Sequence, residues 1–362
     1  MNLDLNITNT DNWLPKKHPI IISGPCSVES EEQVIQTAAA ISKAKNVSIL
    51  RGGIWKPRTR PNSFEGVGEE GLIWLKKAGK LTGLPVATEV ANAEHVEACL
   101  KNDIDILWVG ARTTVNPFSV QEIADALKGV DVPVFVKNPI TPDINLWVGA
   151  LERLNAVGIN KLAAIHRGFS SFDKSSYRNT PMWEIPIELM LMCPAIPMFC
   201  DPSHIAGDKE RISYVAQKAM DLDMEGLMIE SHINPLVAKS DAEQQVSPLA
   251  LETLLSALVI REKHSESEEF LNKLEQLRSI IDDLDEELIN KFSSRMSIIQ
   301  KIGQYKQENN VTILQLERWE HVLKNRSFLA DKVGLSDEFI KRMLALVHQE
   351  SIRVQTQVMN KD

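Results

Sequence analysis

Up to about Glu262 the hydrophobic and polar positions follow one grammar. Short apolar runs end in Gly, Pro or polar residues, and each is followed by a helical stretch. The runs are "PIIISGP" (19–25), "VSILRGG" (47–53), "LPVATEV" (84–90), "ILWVGAR" (106–112), "PVFVKNP" (133–139), "KLAAIHRG" (161–168), "PMFCDPSH" (197–204) and "GLMIESH" (226–232). Consecutive apolar positions of this kind predict strands buried on both faces, as in a parallel sheet. Strand–helix units in this number, over roughly 250 residues, match an α/β (β/α)8 TIM barrel. A doubly wound open sheet shares the alternation, and the count of runs favours the closed form.

From Ser265 the grammar changes. "HSESEE" is a short polar junction, and no proline follows it. Leu271, Leu274, Leu277, Ile281, Leu284, Leu288, Phe292, Ile299 and Ile302 recur at three- and four-residue steps. That period predicts one amphipathic helix from Phe270 to about Gln307, roughly 55 Å long. Shorter helices are expected over Leu314–Lys324 and from Ser336 to about Val358. A helix this long cannot fold back on a small core alone, so the region reads as an all-helical domain that dimerises. The expected organisation is a barrel over residues 1–264, a linker over 265–269 and a helical domain over 270–362.

Composition narrows the function. The chain has 362 residues, 43% hydrophobic and 25% charged, as in an ordinary globular protein. Its net charge of -9 argues against bulk attraction to nucleic acid or to an acidic membrane. Four cysteines, Cys26, Cys99, Cys193 and Cys200, lack paired spacing, which fits a reducing compartment. The amino terminus has neither a basic start nor an apolar run, so no signal peptide is expected, and no stretch reaches the roughly 20 apolar residues of a membrane span. A cytoplasmic location is the expectation.

Against that acidic background, "LRGGIWKPRTRP" concentrates Arg51, Lys56, Arg58 and Arg60 between prolines and glycines that exclude a solvated helix face. In a barrel, the carboxyl ends of the strands carry the chemistry. Those ends hold Cys26, Arg51, Glu89, Arg112, Lys137, His166 with Arg167, His204 and Glu230. Arg51, Lys56, Arg112, Lys137 and Arg167 would repel one another at one mouth unless an anion compensates them. A phosphorylated, carboxylated small molecule would do so. Cys26, His204, Glu230 and Asp241 form a second set: a thiol, an imidazole and two carboxylates able to hold one divalent transition metal. Taken alone, Cys26 reads more often as a buried apolar residue, and His204 equally as a core histidine.

The ordered motifs "GPCSVES", "LRGGIWKPRTRP", "GAR", "DPSH", "MIESH" and "SDAEQQ" resemble 3-deoxy-D-arabino-heptulosonate 7-phosphate synthase, in the branch related to 3-deoxy-manno-octulosonate 8-phosphate synthase. The resemblance spans about Lys17 to Arg261. It implies condensation of phosphoenolpyruvate with erythrose 4-phosphate and release of phosphate. It further implies metal ligands at Cys26, His204, Glu230 and Asp241, the metal being manganese, iron, cobalt or similar, with no organic cofactor. Arg51 and Lys56 would take the phosphoenolpyruvate carboxylate, and Arg112, Lys137 and Arg167 its phosphate, with Lys137 counted as catalytic and His166 as a further substrate contact. "KPRT" would receive the sugar phosphate through Arg58 and Thr59. "VKNPITPD" and "IHRG" depart from the commonest wording of the synthase branch, which brings the octulosonate enzyme closer as a rival.

The tail "LEQLRSIIDDLDEELINKFSSRMSIIQKIGQYK", followed by "ERWEHVL" and "HQESIRVQ", resembles the all-helical type of chorismate mutase over Phe270 to about Met359. Arg295 and Lys306 lie about 20° apart around a helix and roughly 16 Å apart along it, whereas Arg278 is about 100° away from Arg295. The resemblance implies Arg295, Lys306, Arg318, Ser351 and Gln355 from one chain and Arg278 from a second. Chorismate would rearrange to prephenate by positioning, with Lys306 and Gln355 donating to the ether oxygen. Gln315 and Trp319 stand where that family often has acidic residues. The combined expectation is a bifunctional, homodimeric shikimate-pathway enzyme. The rival is an octulosonate-type barrel with a non-catalytic dimerising or ligand-sensing tail.

Overall fold

A computed structural model describes residues 3–44, 46–56, 63–172 and 176–360. Every apolar run contains a strand: β1 Ile20–Gly24, β2 Val47–Arg51, β3 Val86–Val90, β4 Ile106–Val109, β5 Val134–Lys137, β6 Leu162–His166, β7 Met198–Cys200 and β8 Gly226–Glu230. All are parallel, pair in chain order and close with β8 on β1. The architecture is a TIM barrel. The strands stop short of the full apolar runs because the residues beyond them leave the ladder to build the mouth.

Strand pleating sends successive side chains to opposite faces, and the core divides accordingly. Ile20, Ile22, Ile49, Ala87, Ile106, Trp108, Phe135, Ala163, Ile165, Phe199 and Met228 fill the barrel interior. Their neighbours in sequence, such as Ile21, Leu50, Leu107, Val136 and Leu227, pack against the surrounding helices. Leu14 joins the interior group, and Trp13 meets Phe135 edge-on at 6.0 Å, so the segment before β1 closes the amino-terminal end. With that end plugged, the interior opens only where the strands end.

The chain divides into two compact units, Met1–Lys263 and His264–Asp362. The second contains helices Glu268–Glu308, Leu316–Lys332 and Asp337–Met359. Ser267 caps the long helix by accepting from Phe270 N, and Ser336 caps the last by accepting from Phe339 N. The middle helix runs past the expected Lys324. Asn325 sits exposed with its side chain on His321, and the helix ends just before Gly334, whose φ of 76° breaks it. Among the described residues no helix is long and apolar enough to cross a membrane.

Candidate functional site

The inward register of β2, β5, β7 and β8 continues into the mouth, where it places Arg51, Lys137, Asp201 and Glu230. Arg51 Nη1 donates to Glu230 Oε1 at 3.0 Å and Nη2 to the Cys26 carbonyl at 3.0 Å. Lys137 Nζ donates to Asp201 Oδ2 at 2.7 Å. All four are buried, which charged groups tolerate only when paired and hydrogen-bonded. Between these pairs lies Trp108. The Arg51 guanidinium stands 4.9 Å and the Lys137 ammonium 5.6 Å from its ring centroid, both within cation–π range. The indole donates to Glu89 Oε2 at 2.9 Å. A Cβ at Gly110 would come within 2.2 Å of Glu89 Oε1, so a larger residue there would have to push the Glu89 carboxylate aside.

"DPSH" builds the next part locally. Asp201 caps the helix Pro202–Ala206, with Pro202 at its first position, where a missing N–H costs nothing. Asp201 Oδ1 accepts from His204 N at 3.0 Å, while Oδ2 lies 2.8 Å from His204 Nδ1 and takes Lys137. The ring is thereby turned with Nε2 3.8 Å from Glu230 Oε1. Burial would raise Asp201, but His204 and Lys137 outweigh it and hold the carboxylate well below its ordinary range. Burial lowers the His204 pKa, against the opposing pull of Asp201. His204 and Arg51 outweigh burial at Glu230 and lower it.

Cys26 follows β1, and its thiol donates to Asp241 Oδ2 at 3.2 Å. Lys56 Nζ is 3.0 Å from its Sγ and 3.2 Å from its carbonyl. Burial first, and Glu230 second, push the thiol up to about 12 against the pull of Lys56. Asp241 adopts a left-handed backbone, φ 46°, and Arg178 outweighs burial to hold its carboxyl below the usual carboxylate range. The four donors thus stand as two close pairs, Cys26 with Asp241 and His204 with Glu230. Among the described residues no three His, Cys, Asp or Glu side chains are near enough to hold a metal ion together.

Arg167 is buried, and burial pushes its pKa down to about 10, with Arg178 and Arg112 adding to the fall and Asp201 resisting it. Its backbone N–H is fixed by Asn138 Oδ1 at 2.6 Å, and the Asn138 amide also reaches the Gly168 carbonyl at 2.8 Å. The asparagine of "VKNPITPD" therefore positions the arginine of "IHRG". Arg112, in the short helix Ala111–Thr114, is exposed at the rim.

His166 corrects an expectation. It is paired in register with Cys200 and, like Cys200 and Ala164, lies on the helix side of the sheet. Its ring meets Trp183 at 5.0 Å and Phe169 at 5.8 Å between centroids. The period of two sends His166 outward and Arg167 inward, so its imidazole is not at the mouth. Arg58 and Thr59 lie outside the described residues.

Reasoning along the chain missed Asp201, Trp108, Arg178, Gln244 and Gln245. Asp201, Trp108 and the two glutamines sit inside motifs already singled out. Gln244 Nε2 donates to Glu230 Oε2 at 2.7 Å, and Gln245 Oε1 accepts from Cys26 N at 2.9 Å. For Arg178 no local signal existed, because its partners lie more than sixty residues away.

The helical unit gathers a second group. Arg295 Nη1 donates to Ser351 Oγ at 2.6 Å, and Gln355 Nε2 to the Ser351 carbonyl at 3.2 Å. Gly303 lets the long helix approach Gln355, since a Cβ there would lie 3.3 Å from Gln355 Cα. Gln355 Oε1 is buried without a hydrogen-bond partner. Lys306 Nζ donates to the Ile313 carbonyl at 2.5 Å. Burial lowers the pKa of both Arg295 and Lys306. Trp319 stacks on His348 at 3.9 Å. Arg318 is exposed and 3.2 Å from His321, and Arg278 is exposed on the long helix. Within one chain Arg278 is not brought to Arg295.

Residues 8–267 match the family model described as the DAHP synthetase I family, and residues 277–356 match chorismate mutase type II. A phospho-2-dehydro-3-deoxyheptonate aldolase of Thermotoga maritima is 31% identical over 226 residues, covering 62% of this chain and 64% of the relative. A 2-dehydro-3-deoxyphosphooctonate aldolase of Paraburkholderia xenovorans is 27% identical, covering 69% and 93%. Among solved structures, the DAHP synthase of Thermotoga maritima superposes with a TM-score of 0.59 at 29% identity, covering 66% of this chain and 67% of that one.

Proposed function

The chain belongs to the DAHP synthetase I family, and on that premise we propose a bifunctional enzyme of the shikimate pathway. Residues 1–264 form a 3-deoxy-D-arabino-heptulosonate 7-phosphate synthase, 265–269 a linker, and 270–362 a chorismate mutase. The observation that carries the first activity is the barrel mouth, where Arg51 and Lys137 flank Trp108, Lys56 interacts with Glu230 and Arg167 with Asp201, so that cations and carboxylates are already gathered.

In this reading Arg51 and Lys56 hold the carboxylate of phosphoenolpyruvate, and Lys137, Arg167 and Arg112 hold its phosphate. Bidentate guanidinium contacts fix the plane of the enol. Its C3 then attacks the aldehyde carbon of erythrose 4-phosphate and forms the new C–C bond. Water adds to C2 and gives up one proton to balance the alkoxide formed on the aldehyde oxygen. The C–O bond to phosphate then breaks with the electron pair leaving on phosphate, which takes the remaining hydroxyl proton as the C2 ketone forms. Lys137 and Arg167 stabilise that departing charge without reorganising. Arg58 and Thr59 are assigned to the sugar phosphate.

In donor type, an imidazole, a thiol and two carboxylates suit a divalent metal of borderline softness, such as manganese, iron or cobalt, once the two pairs draw together. Cys26, His204, Glu230 and Asp241 would hold it. When bound it would draw electron density from the aldehyde carbonyl. Lys56, beside the Cys26 sulfur, would favour the thiolate form that such binding requires.

For the helical unit we assign Arg295, Lys306, Arg318, Ser351 and Gln355 to chorismate, with Arg278 from a second copy. Homodimerisation is supported by the long helix, on which Leu277, Ile281, Leu284 and Leu288 are exposed and Gly303 is the buried residue. The four buried, unbridged cysteines support a cytoplasmic location.

The test is phosphate release by the purified full-length chain from phosphoenolpyruvate with Mn2+ and either erythrose 4-phosphate or arabinose 5-phosphate, beside conversion of chorismate to prephenate. Turnover with erythrose 4-phosphate and with chorismate is expected. Preference for arabinose 5-phosphate would make the barrel an octulosonate synthase, and no prephenate would make the tail a dimerising or sensing module. In the Leu284→Lys, Leu288→Lys double variant, monomers by sedimentation and loss of mutase turnover are expected.

A further inference from the structure

Arg178 belongs to none of the motifs that mark the barrel mouth, yet it sits where the supports of the metal donors meet. Its Nη1 donates to Asp241 Oδ1 at 2.9 Å and to Gln244 Oε1 at 2.5 Å. Asp241 accepts from the Cys26 thiol through its other oxygen at 3.2 Å. Gln244 passes the contact on, its Nε2 donating to Glu230 Oε2 at 2.7 Å. One guanidinium nitrogen is therefore one bond from one carboxylate donor and two bonds from the other.

The backbone beside it is tied to the fourth donor's helix. Arg178 N donates to the Ala206 carbonyl at 3.3 Å, Asn179 N to Ile205 O at 3.2 Å, and the Asn179 amide to His204 O at 2.6 Å. Gly207 makes room for the arginine stem: a Cβ there would come within 2.3 Å of Arg178 Cβ, and its φ of 70° suits glycine. The stem is thus seated against the helix Pro202–Ala206 while the head reaches the Asp241 loop. A cavity of about 710 Å³ lies outside this contact, lined by Tyr177, Arg178, Arg211, Asp208, Asp241 and Gln244. The head group is 47% exposed, so the contact stands at the outer edge of the site and not in a core that needs it for folding.

We propose that Arg178 is a positioning residue for the metal centre, fixing the side chains of Asp241 directly and of Glu230 through Gln244, so that less has to be ordered when the donors close on the cation. The proposal rests on the assignment of Cys26, His204, Glu230 and Asp241 as ligands. A carboxylate in a left-handed loop has rotamer freedom to lose, and a hydrogen bond to one oxygen fixes which oxygen faces the donor set. Partners of this kind typically contribute 10- to 100-fold in metal affinity.

The experiment is calorimetric titration of the full-length chain with Mn2+, comparing the unaltered protein with Arg178→Gln and Arg178→Lys, with thermal unfolding followed by circular dichroism. Arg178→Gln should bind Mn2+ about 10- to 100-fold more weakly at an unchanged unfolding midpoint. Arg178→Lys, which keeps the charge on a shorter donor, should recover part of that loss. Gln244→Leu, which cuts only the route to Glu230, should show a smaller weakening. Equal Mn2+ affinity in Arg178→Gln would overturn the proposal. So would unchanged affinity with a raised KM for erythrose 4-phosphate, since Arg178 would then be a substrate contact. If the unaltered chain takes up no Mn2+, it is the ligand assignment that fails, and the proposal falls with it.

Discussion

The two units handle their functional charges in opposite ways. In the barrel, Arg51, Glu230, Lys137 and Asp201 are buried and paired before any substrate arrives. In the helical unit, Arg278, Arg295 and Arg318 are exposed, and a row of apolar side chains on the long helix is uncovered with them. A closed barrel surrounds its own mouth, so one chain can desolvate a full constellation of charges. Three helices enclose little volume, and their site gains its missing wall and the Arg278 cation in the homodimer proposed above. On the proposed assignments, the first site draws its residues from one chain and the second from two.

Removing a buried partner tests the contrast most strongly. Arg51→Ala leaves Glu230 buried without its cation and should destabilise the barrel by about 3–5 kcal/mol, read from denaturant unfolding of the full chain. A barrel that unfolds at the same midpoint as the unaltered one would remove the contrast. Arg295→Ala is the counterpart in the helical unit. Chorismate turnover should fall by roughly 10²- to 10³-fold, as when a preorganised donor is lost, while the unfolding midpoint holds. A large loss of helicity would show that Arg295 is structural.

Acid sharpens the comparison further. Burial first, then Arg167, pushes His166 down to about 3, against Asp201 and a backbone carbonyl, from an unfolded value of about 6.5. The unfolded chain takes a proton below 6.5 that the fold refuses until about 3. Stability is therefore complete above 6.5 and falls as pH drops through that window, by up to about 1.4 kcal/mol per pH unit. In His166→Phe, seated between Trp183 and Phe169, this part of the slope should vanish from unfolding midpoints measured between pH 6.5 and 4. An unchanged slope would place a proton on His166 in the fold. The smallest effect belongs to the exposed pair Lys341–Asp337 on the last helix. Lys341→Ala should leave the unfolding midpoint within error, since exposed pairs are screened by water and salt. A clear shift would mean that this surface is covered.

Much of this was legible along the chain because periodicity is local. The eight strands and the long helix follow from where apolar residues fall, and the pleat fixed Arg51, Lys137 and Glu230 as inward residues once the strands were placed. His166 shows the limit. "IHRG" puts two chemically able residues side by side, and a sequence cannot say which of them faces the axis until the register of β6 is known. Asp201 was overlooked within a quoted motif, because an N-cap aspartate looks ordinary until Lys137, sixty-four residues earlier, is brought to its second oxygen.

By itself the sequence determined the consecutive apolar runs, the three- and four-residue period of the tail, the inventory of cations and donors, and the family. Each depends on residues within a few positions of one another or on residue type alone. Closure of the barrel decided the rest. It brought Arg51 onto Glu230, Lys137 onto Asp201, and Arg178 onto Asp241 and Gln244, turned His166 away from the mouth, and set Trp108 between two cations. Those relations join residues up to 179 positions apart, and their strength comes from exclusion of water, which only a folded interior provides.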